Sequence, residues 1–181
     1  MQTSKKPSAR TFLATVEDRP GVLNRVVSLV RRRGYNIESL AVGATETANV
    51  SRITLVVRAD EETARRVRAS LLKLVDVLRV DDVSSSPSVI HELALVKVYA
   101  PDHQRNEVLR ICEAFRARIV DLSPATIVLE ITGGQDRIEG LLEVLRPFGV
   151  AEVVRTGAIA MLRGGETKVA VPGTQAEEVA A

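Results

Sequence analysis

One order of hydrophobic periodicities occurs twice in this chain, on either side of a serine-rich break, and that doubling constrains the fold more than any other feature. From Arg10 to Glu17, Phe12, Ala14 and Val16 alternate with Thr11, Leu13 and Thr15, the period of two that marks a strand with one face better buried. Val22, Val26 and Val30 then recur every fourth residue with Leu23 and Val27 beside them. This is the apolar stripe of a helix, which Gly34 can end in a left-handed turn. Ile37 to Glu46 and Val50 to Arg58 read as a hairpin around Thr47-Ala48-Asn49. Asp60-Glu61-Glu62 places acid at a second helix start, where it complements the dipole, and Ala64, Val67, Leu71 and Leu74 continue at helical spacing. Val77 to Val83 closes the unit as a strand.

Ser84-Ser85-Ser86-Pro87-Ser88 can propagate neither period, because hydroxyls compete for backbone bonds and the proline ring blocks a helix. Beyond it come a strand from Ile90 to Tyr99 and a helix from Asp102 to Phe115 striped by Val108, Ile111, Cys112 and Phe115. Strands Arg118 to Leu122 and Thr126 to Thr132 follow. A helix carrying Ile138, Leu141, Leu142 and Leu145 is stopped by Pro147 and Gly149, and Val150 to Arg155 is the last strand expected.

Both halves therefore read βαββαβ. Right-handed crossovers leave few topologies for that order, and the expected fold class is α+β: two tandem ferredoxin-like domains, each an antiparallel four-stranded sheet with two helices on one face. The expected division is a disordered extension at 1–9, a first domain at 10–83, a linker at 84–88, a second domain at 89–163 and a flexible tail at 164–181. A domain this small buries only about 60% of its unfolded surface, which favours a dimer. The strand Ile37 to Glu46 should lie at a sheet edge with little charge to deter pairing.

Composition excludes several functions. Of 181 residues 45% are hydrophobic, enough for a core, and Trp is absent, so Val, Leu and Ile must fill it. A net charge of +2 with acids and bases interspersed gives little attraction for nucleic acid or anionic lipid. The lone Cys112 allows no internal disulfide, and with only His91 and His103 no Cys/His metal site of ordinary ligand count is possible. No sustained apolar segment reads as a signal or membrane anchor, so a cytoplasmic protein is expected.

The candidate site is Asp18-Arg19-Pro20-Gly21-Val22-Leu23, where a helix begins with almost no side chain in front of its amides. With Pro20 at the first helical position the cap falls to Arg19, which has no acceptor, and the amides of Gly21, Val22 and Leu23 are left for an anion such as a carboxylate. Gly21 lets a ligand approach the backbone. Asp18 can hold an ammonium group, Asn36 offers a donor and an acceptor, and Val22, Leu23 and Ile37 can surround an aliphatic side chain. In a purely structural reading, Asp18 caps the helix and Gly21, Gly34 and Asn36 only shape turns.

Other features carry less. Asp81-Asp82 or His103 could serve a stand-alone enzyme, but carboxylates at a strand end are usually solvated or structural, and no nucleophile triad or P-loop is visible. Arg31-Arg32-Arg33 could suggest DNA binding, yet basic residues also complement a helix C-terminus, and no helix-turn-helix accompanies them. Gly133-Gly134 reads as a strand-to-helix turn, His91 as a surface strand residue, and Cys112 as core. No catalytic residue and no metal ligand is expected.

Glu17-Asp18-Arg19-Pro20-Gly21-Val22-Leu23 and, more specifically, Arg33-Gly34-Tyr35-Asn36-Ile37-Glu38-Ser39-Leu40 resemble the small regulatory subunits of acetolactate (acetohydroxyacid) synthase. The similarity continues through Ser51-Arg52-Ile53-Thr54, Lys73-Leu74-Val75-Asp76-Val77, Glu92-Leu93-Ala94-Leu95-Val96-Lys97 and Phe115-Arg116, from about Thr11 to Gly164. The resemblance implies that the first half is an ACT domain, an amino-acid sensor, and that valine binds between two such domains of a dimer. Asp18 and Gly21 would come from one chain, and Asn36 with Ile37 from the other. Many members have Asn where this chain has Asp18.

The resemblance also implies a non-catalytic chain without cofactor. Its partner, the large catalytic subunit, would carry thiamine diphosphate, magnesium and flavin (FAD) and would be activated and made valine-sensitive by this subunit, in valine and isoleucine biosynthesis. The alternative is a freestanding double-domain amino-acid sensor acting on another enzyme or transcriptional partner, because a fold alone names no partner.

Overall fold

The computed structural model describes residues 7–164. The first half runs β1 (Ser8–Glu17), α1 (Val22–Arg32), β2 (Ile37–Ala44), β3 (Val50–Ala59), α2 (Glu61–Leu71) and β4 (Val77–Asp82). The second half repeats the order as β5 (Ser88–Tyr99), α3 (Asp102–Ala114), β6 (Arg118–Leu122), β7 (Thr126–Gly133), α4 (Gln135–Leu145) and β8 (Val150–Arg155). A 3-10 turn at Arg146–Phe148 precedes β8, and a short β9 (Ile159–Leu162) follows it. The sheets have strand orders β2-β3-β1-β4 and β6-β7-β5-β8, the same interleaving twice, with β9 added against β5. The fold is the expected α+β one, with an ACT domain first.

The expected period of two becomes register. Phe12 lies opposite Leu55 and Ala14 opposite Ile53 on the inward face of the first sheet. The other face of β1, Thr11, Leu13 and Thr15, is buried slightly less deeply. Val96 opposite Leu129 and Val98 opposite Ile127 repeat the arrangement in the second sheet. The helices press their stripes onto these faces: Val22, Val26 and Val30 from α1, and Ile138, Leu141 and Leu145 from α4. Fully burying each such side chain stabilises by about 1.5–3 kcal/mol. Cys112 belongs to the second core, and burial pushes its thiol pKa up, so it stays protonated and inert.

One unit of the chain holds Ser39–Ala41 and Ile90–Ala160; the rest of the described residues form the other. Within the former, the Ser39 hydroxyl accepts the amide of Ala158 at 2.8 Å.

Several expected boundaries move, each for a local reason. β1 begins at Ser8, inside the segment 1–9 expected to be disordered, because Ser8 already pairs with Ala59 across the ladder. Residues 1–6 of that extension, and the expected tail beyond Gly164, lie outside the described residues. β2 stops at Ala44 rather than Glu46, since Thr45 turns its amide and hydroxyl to the Val50 carbonyl, at 3.0 and 2.9 Å. The second helix stops at Leu71, and Leu74 sits in the turn that follows. β4 stops at Asp82, whose carboxylate accepts the Ser84 amide, and the Ser84 hydroxyl accepts the Thr11 amide at 2.9 Å. The serine-rich link is thus hydrogen-bonded to the sheet, and β5 starts at Ser88 rather than Ile90.

Val150 to Arg155 is not the last strand. β9 was illegible because its inward residue, Ala160, is small while Ile159 and Met161 are exposed, which reverses the apolar-in signal.

Candidate functional site

The start of α1 differs from the expected cap in one respect: Pro20 lies before the helix and Gly21 is its N-cap, in the left-handed region at φ 87. A β-branched or bulky residue would be strained there, so glycine is required by backbone conformation as well as by ligand access. Gly21 leaves the helix without a side-chain cap. Val22 N–H donates to the Arg19 carbonyl at 3.3 Å, whereas the amides of Gly21, Leu23 and Asn24 find no acceptor among the described residues. The free donors are therefore Gly21, Leu23 and Asn24 rather than Gly21, Val22 and Leu23. Asn24 joins the set because the cap moves two positions, from Arg19 to Gly21, and Val22 leaves it by donating to the Arg19 carbonyl.

The approach to this helix start is fixed from outside. Asp18 N–H donates to the Asn49 carbonyl at 2.8 Å and Arg19 pairs with Glu17 at 3.1 Å. The Asp18 carboxylate is exposed and makes no hydrogen bond or ion pair among the described residues; it does not cap the helix. Val22 is buried and anchors the first turn, while Leu23 is 41% exposed beside the free amides.

Two residues not anticipated from the sequence complete the site. Arg25 Nε lies 2.6 Å from Asp76 Oδ2, and another guanidinium nitrogen sits 3.7 Å from where a β-carbon on Gly21 would be. Asp76 is itself buried, and its carbonyl accepts the Glu17 amide at 2.9 Å. Asp76 balances the charge of Arg25 while holding guanidinium donors against a helix start whose dipole already favours an anion. Arg25 is one turn beyond Gly21 on the same face, a spacing the sequence does display. Its partner 51 residues away is not legible in the sequence.

Asn36 and Ile37 lie at the opposite end of α1, past Gly34 in its left-handed turn at φ 71. An 11-residue helix spans about 16 Å, so one chain does not bring Asn36 and Ile37 to Asp18 and Gly21. Asn36 is exposed, with no side-chain hydrogen bond among the described residues, and Ile37 is half-buried.

The rival features have structural partners. Asp81 pairs with Arg79 at 2.6 Å, and Asp82 with Arg10 and Ser84. Arg31, Arg32 and Arg33 are exposed at the C-terminal end of α1, where their charge suits the dipole. Gly133 ends β7 and Gly134 caps α4, as a strand-to-helix turn. His91 and His103 are exposed. Among the described residues no group of His, Cys, Asp and Glu could hold a metal ion, and no helix is long and apolar enough to cross a membrane.

Comparison with known proteins places this geometry in a lineage. Residues 12–79 match the acetohydroxyacid synthase (AHAS) small subunit-like ACT domain, and residues 91–164 match the small subunit of acetolactate synthase. A protein of Methanothermobacter thermautotrophicus described as a probable acetolactate synthase small subunit is 42% identical over 163 residues, 90% of this chain and 97% of its own length. The acetolactate synthase small subunit of Bacillus subtilis is 46% identical over 160 residues, covering 88% of this chain and 93% of that one. The crystal structure of the small subunit from Thermotoga maritima superposes with a TM-score of 0.80 at 34% identity, over 87% of this chain and 99% of that one. The chain belongs to the family of acetolactate synthase small subunits.

Proposed function

We propose that this protein is the regulatory subunit of an acetolactate synthase, activating a thiamine diphosphate-dependent catalytic subunit and making it sensitive to valine. The reading rests on one observation: in a chain of this family, α1 begins without a cap, and its free amides sit beside an arginine held by a buried aspartate. A valine carboxylate accepts from Gly21, Leu23 and Asn24 and faces Arg25. The Asp18 carboxylate, free of other partners, takes the ammonium group. Leu23 and Val22 cover part of the isopropyl group. Asn36 and Ile37 come from a second copy, which makes binding sensitive to how two chains are apposed. The exposed end of edge strand β2, Val42–Ala44, offers that copy unpaired backbone groups.

An anion at a helix start gains about 0.3–1 kcal/mol, or about 2 kcal/mol when partly buried, so the amides orient valine and the remaining contacts supply its affinity. Even at about 1.5 kcal/mol per heavy atom, realistic losses leave so small a ligand a micromolar-to-millimolar binder, which suits sensing a metabolite pool. One methylene is worth about 1–3 kcal/mol, so leucine and isoleucine inhibit partially. Feedback requires valine to prefer one dimer arrangement, and a coupling of about 1–3 kcal/mol shifts catalytic activity five-fold or more. Thiamine diphosphate, magnesium and flavin reside on the catalytic chain, in the cytoplasm.

The test is reconstitution with the catalytic subunit followed by titration with valine. Activation by the added chain together with valine inhibition is expected; activation without valine inhibition would confine the role to activation. A regulator of some other enzyme would neither co-purify with the synthase nor alter its rate.

A further inference from the structure

A cavity of about 420 Å³ that shares no residue with the α1 site lies between one face of α2, the end of β4 with the serine turn after it, Arg10 of β1 and Leu162 of β9. Its size falls in the range of small-molecule sites. Glu61, Arg65 and Arg68 stand on one face of α2 at helical spacing. Ser85 and Ser86 face them from the turn, and Ala64, Val83 and Leu162 supply apolar wall.

The polar groups of this cavity are unevenly satisfied, and the imbalance has a sign. Every carboxylate is engaged: Glu61 with Arg10 at 2.5 Å, Asp82 with Arg10 at 3.7 Å and with the Ser84 amide, and Asp81 with Arg79. The donors are not. Arg65 and Arg68, both exposed, spend only their Nε atoms, on the carbonyls of Glu61 and Val80 at 3.4 and 3.0 Å, and their terminal nitrogens, open to solvent, have no partner among the described residues. The Arg10 side chain is nine-tenths buried, and its Nε is buried without any hydrogen bond. That Nε has no surface open to the cavity, so what the cavity offers an anion is the terminal nitrogens of Arg65 and Arg68.

We propose that this cavity is a second ligand site, for a small organic carboxylate with a short apolar body. The carboxylate bridges the guanidinium ends of Arg65 and Arg68, and the body lies on Ala64, Val83 and Leu162. A cation is disfavoured because no carboxylate is free, and a zwitterionic amino acid is disfavoured for the same reason at its ammonium group. Inorganic phosphate would leave the apolar wall unused. This inference goes beyond the valine reading and shares no residue with it.

The test titrates isobutyrate calorimetrically into the full chain carrying Gly21→Asp, so that the α1 site contributes nothing. Binding is expected there, weakened about ten-fold or more when Arg65→Ala and Arg68→Ala are added, the loss of charge-assisted hydrogen bonds. Arg68→Lys, which keeps the charge, should restore part of it, and an unchanged melting midpoint excludes misfolding. Absence of isobutyrate binding, or binding indifferent to both arginines, would overturn the proposal. Inorganic phosphate or L-valine binding the Gly21→Asp chain as tightly as isobutyrate would overturn the ligand class.

Discussion

The starts of α1 and α3 occupy equivalent places in two copies of one fold, yet they are built for opposite ends. At α1 the N-cap is Gly21, no acid lies in the first turn, and Arg25 is turned toward the helix start by Asp76. At α3 the N-cap is Pro101, Asp102 supplies the first turn with its own anion, and Arg105 donates to the carbonyls of Ala100, Ser123 and Pro124. Gln104 and Arg105 amides both reach the Pro101 carbonyl. The helix dipole is common to both, so what makes an anion site is which neighbouring hydrogen-bond donors remain unspent. In the second half the arginine closes a loop; in the first it faces a row of free amides.

Substitutions can break or sharpen this contrast. The largest effect is expected from Gly21→Asp, which puts a carboxylate where the ligand's should lie and strains a residue at φ 87. Valine binding by calorimetry and valine inhibition of the reconstituted enzyme should both vanish while activation persists. Retained inhibition would show that valine binds elsewhere. Next comes Arg105→Ala, which should destabilise the chain by about 2 kcal/mol in urea, since a charged donor serving three carbonyls is lost, with no change in valine affinity.

Arg25→Ala should weaken valine about ten-fold, and its urea midpoint should fall as well, because the buried Asp76 carboxylate loses its ion-pair partner. Equal valine affinities for Arg25→Ala and Arg105→Ala would erase the proposed distinction between the helices.

The smallest effect concerns α2, whose start is capped: Asp60 accepts the Thr63 amide at 2.7 Å. That bond, with the Thr63 hydroxyl, holds the Asp60 carboxyl below its ordinary range. A carboxylate with a lowered folded-state pKa stabilises above its unfolded value, and the gain disappears as pH falls through the folded one. Asp60→Asn keeps an acceptor but should lose that dependence, so the two melting profiles should converge only in acid below the ordinary aspartate range. Profiles parallel at every pH would remove the cap from the account.

Most of the fold was legible because it rests on local rules. Period two in Phe12, Ala14 and Val16, period four in Val22, Val26 and Val30, and glycine at 34 each act over a few residues, and a topology with few right-handed solutions did the rest. The boundaries that moved were decided by side chains reaching across the chain, as Ser84 does to Thr11. Of the site, the uncapped α1 start and Gly21 could be read. The cap residue was misplaced by two positions, because Pro at the first helical position is a preference that the turn at Gly21 overrides.

Sequence by itself determined that this chain makes two βαββαβ units, that α1 starts without an acceptor side chain, and that one family owns both motifs. Only the tertiary structure decided that Asp76 aims Arg25 at that start, that Asn36 stands a helix length away from it, and that Arg10, Arg65 and Arg68 line one cavity. Periodicity reports which residues face inward, a property of each element alone. The charge left over at a site depends on partners dozens of residues distant, and those are chosen only when the elements pack.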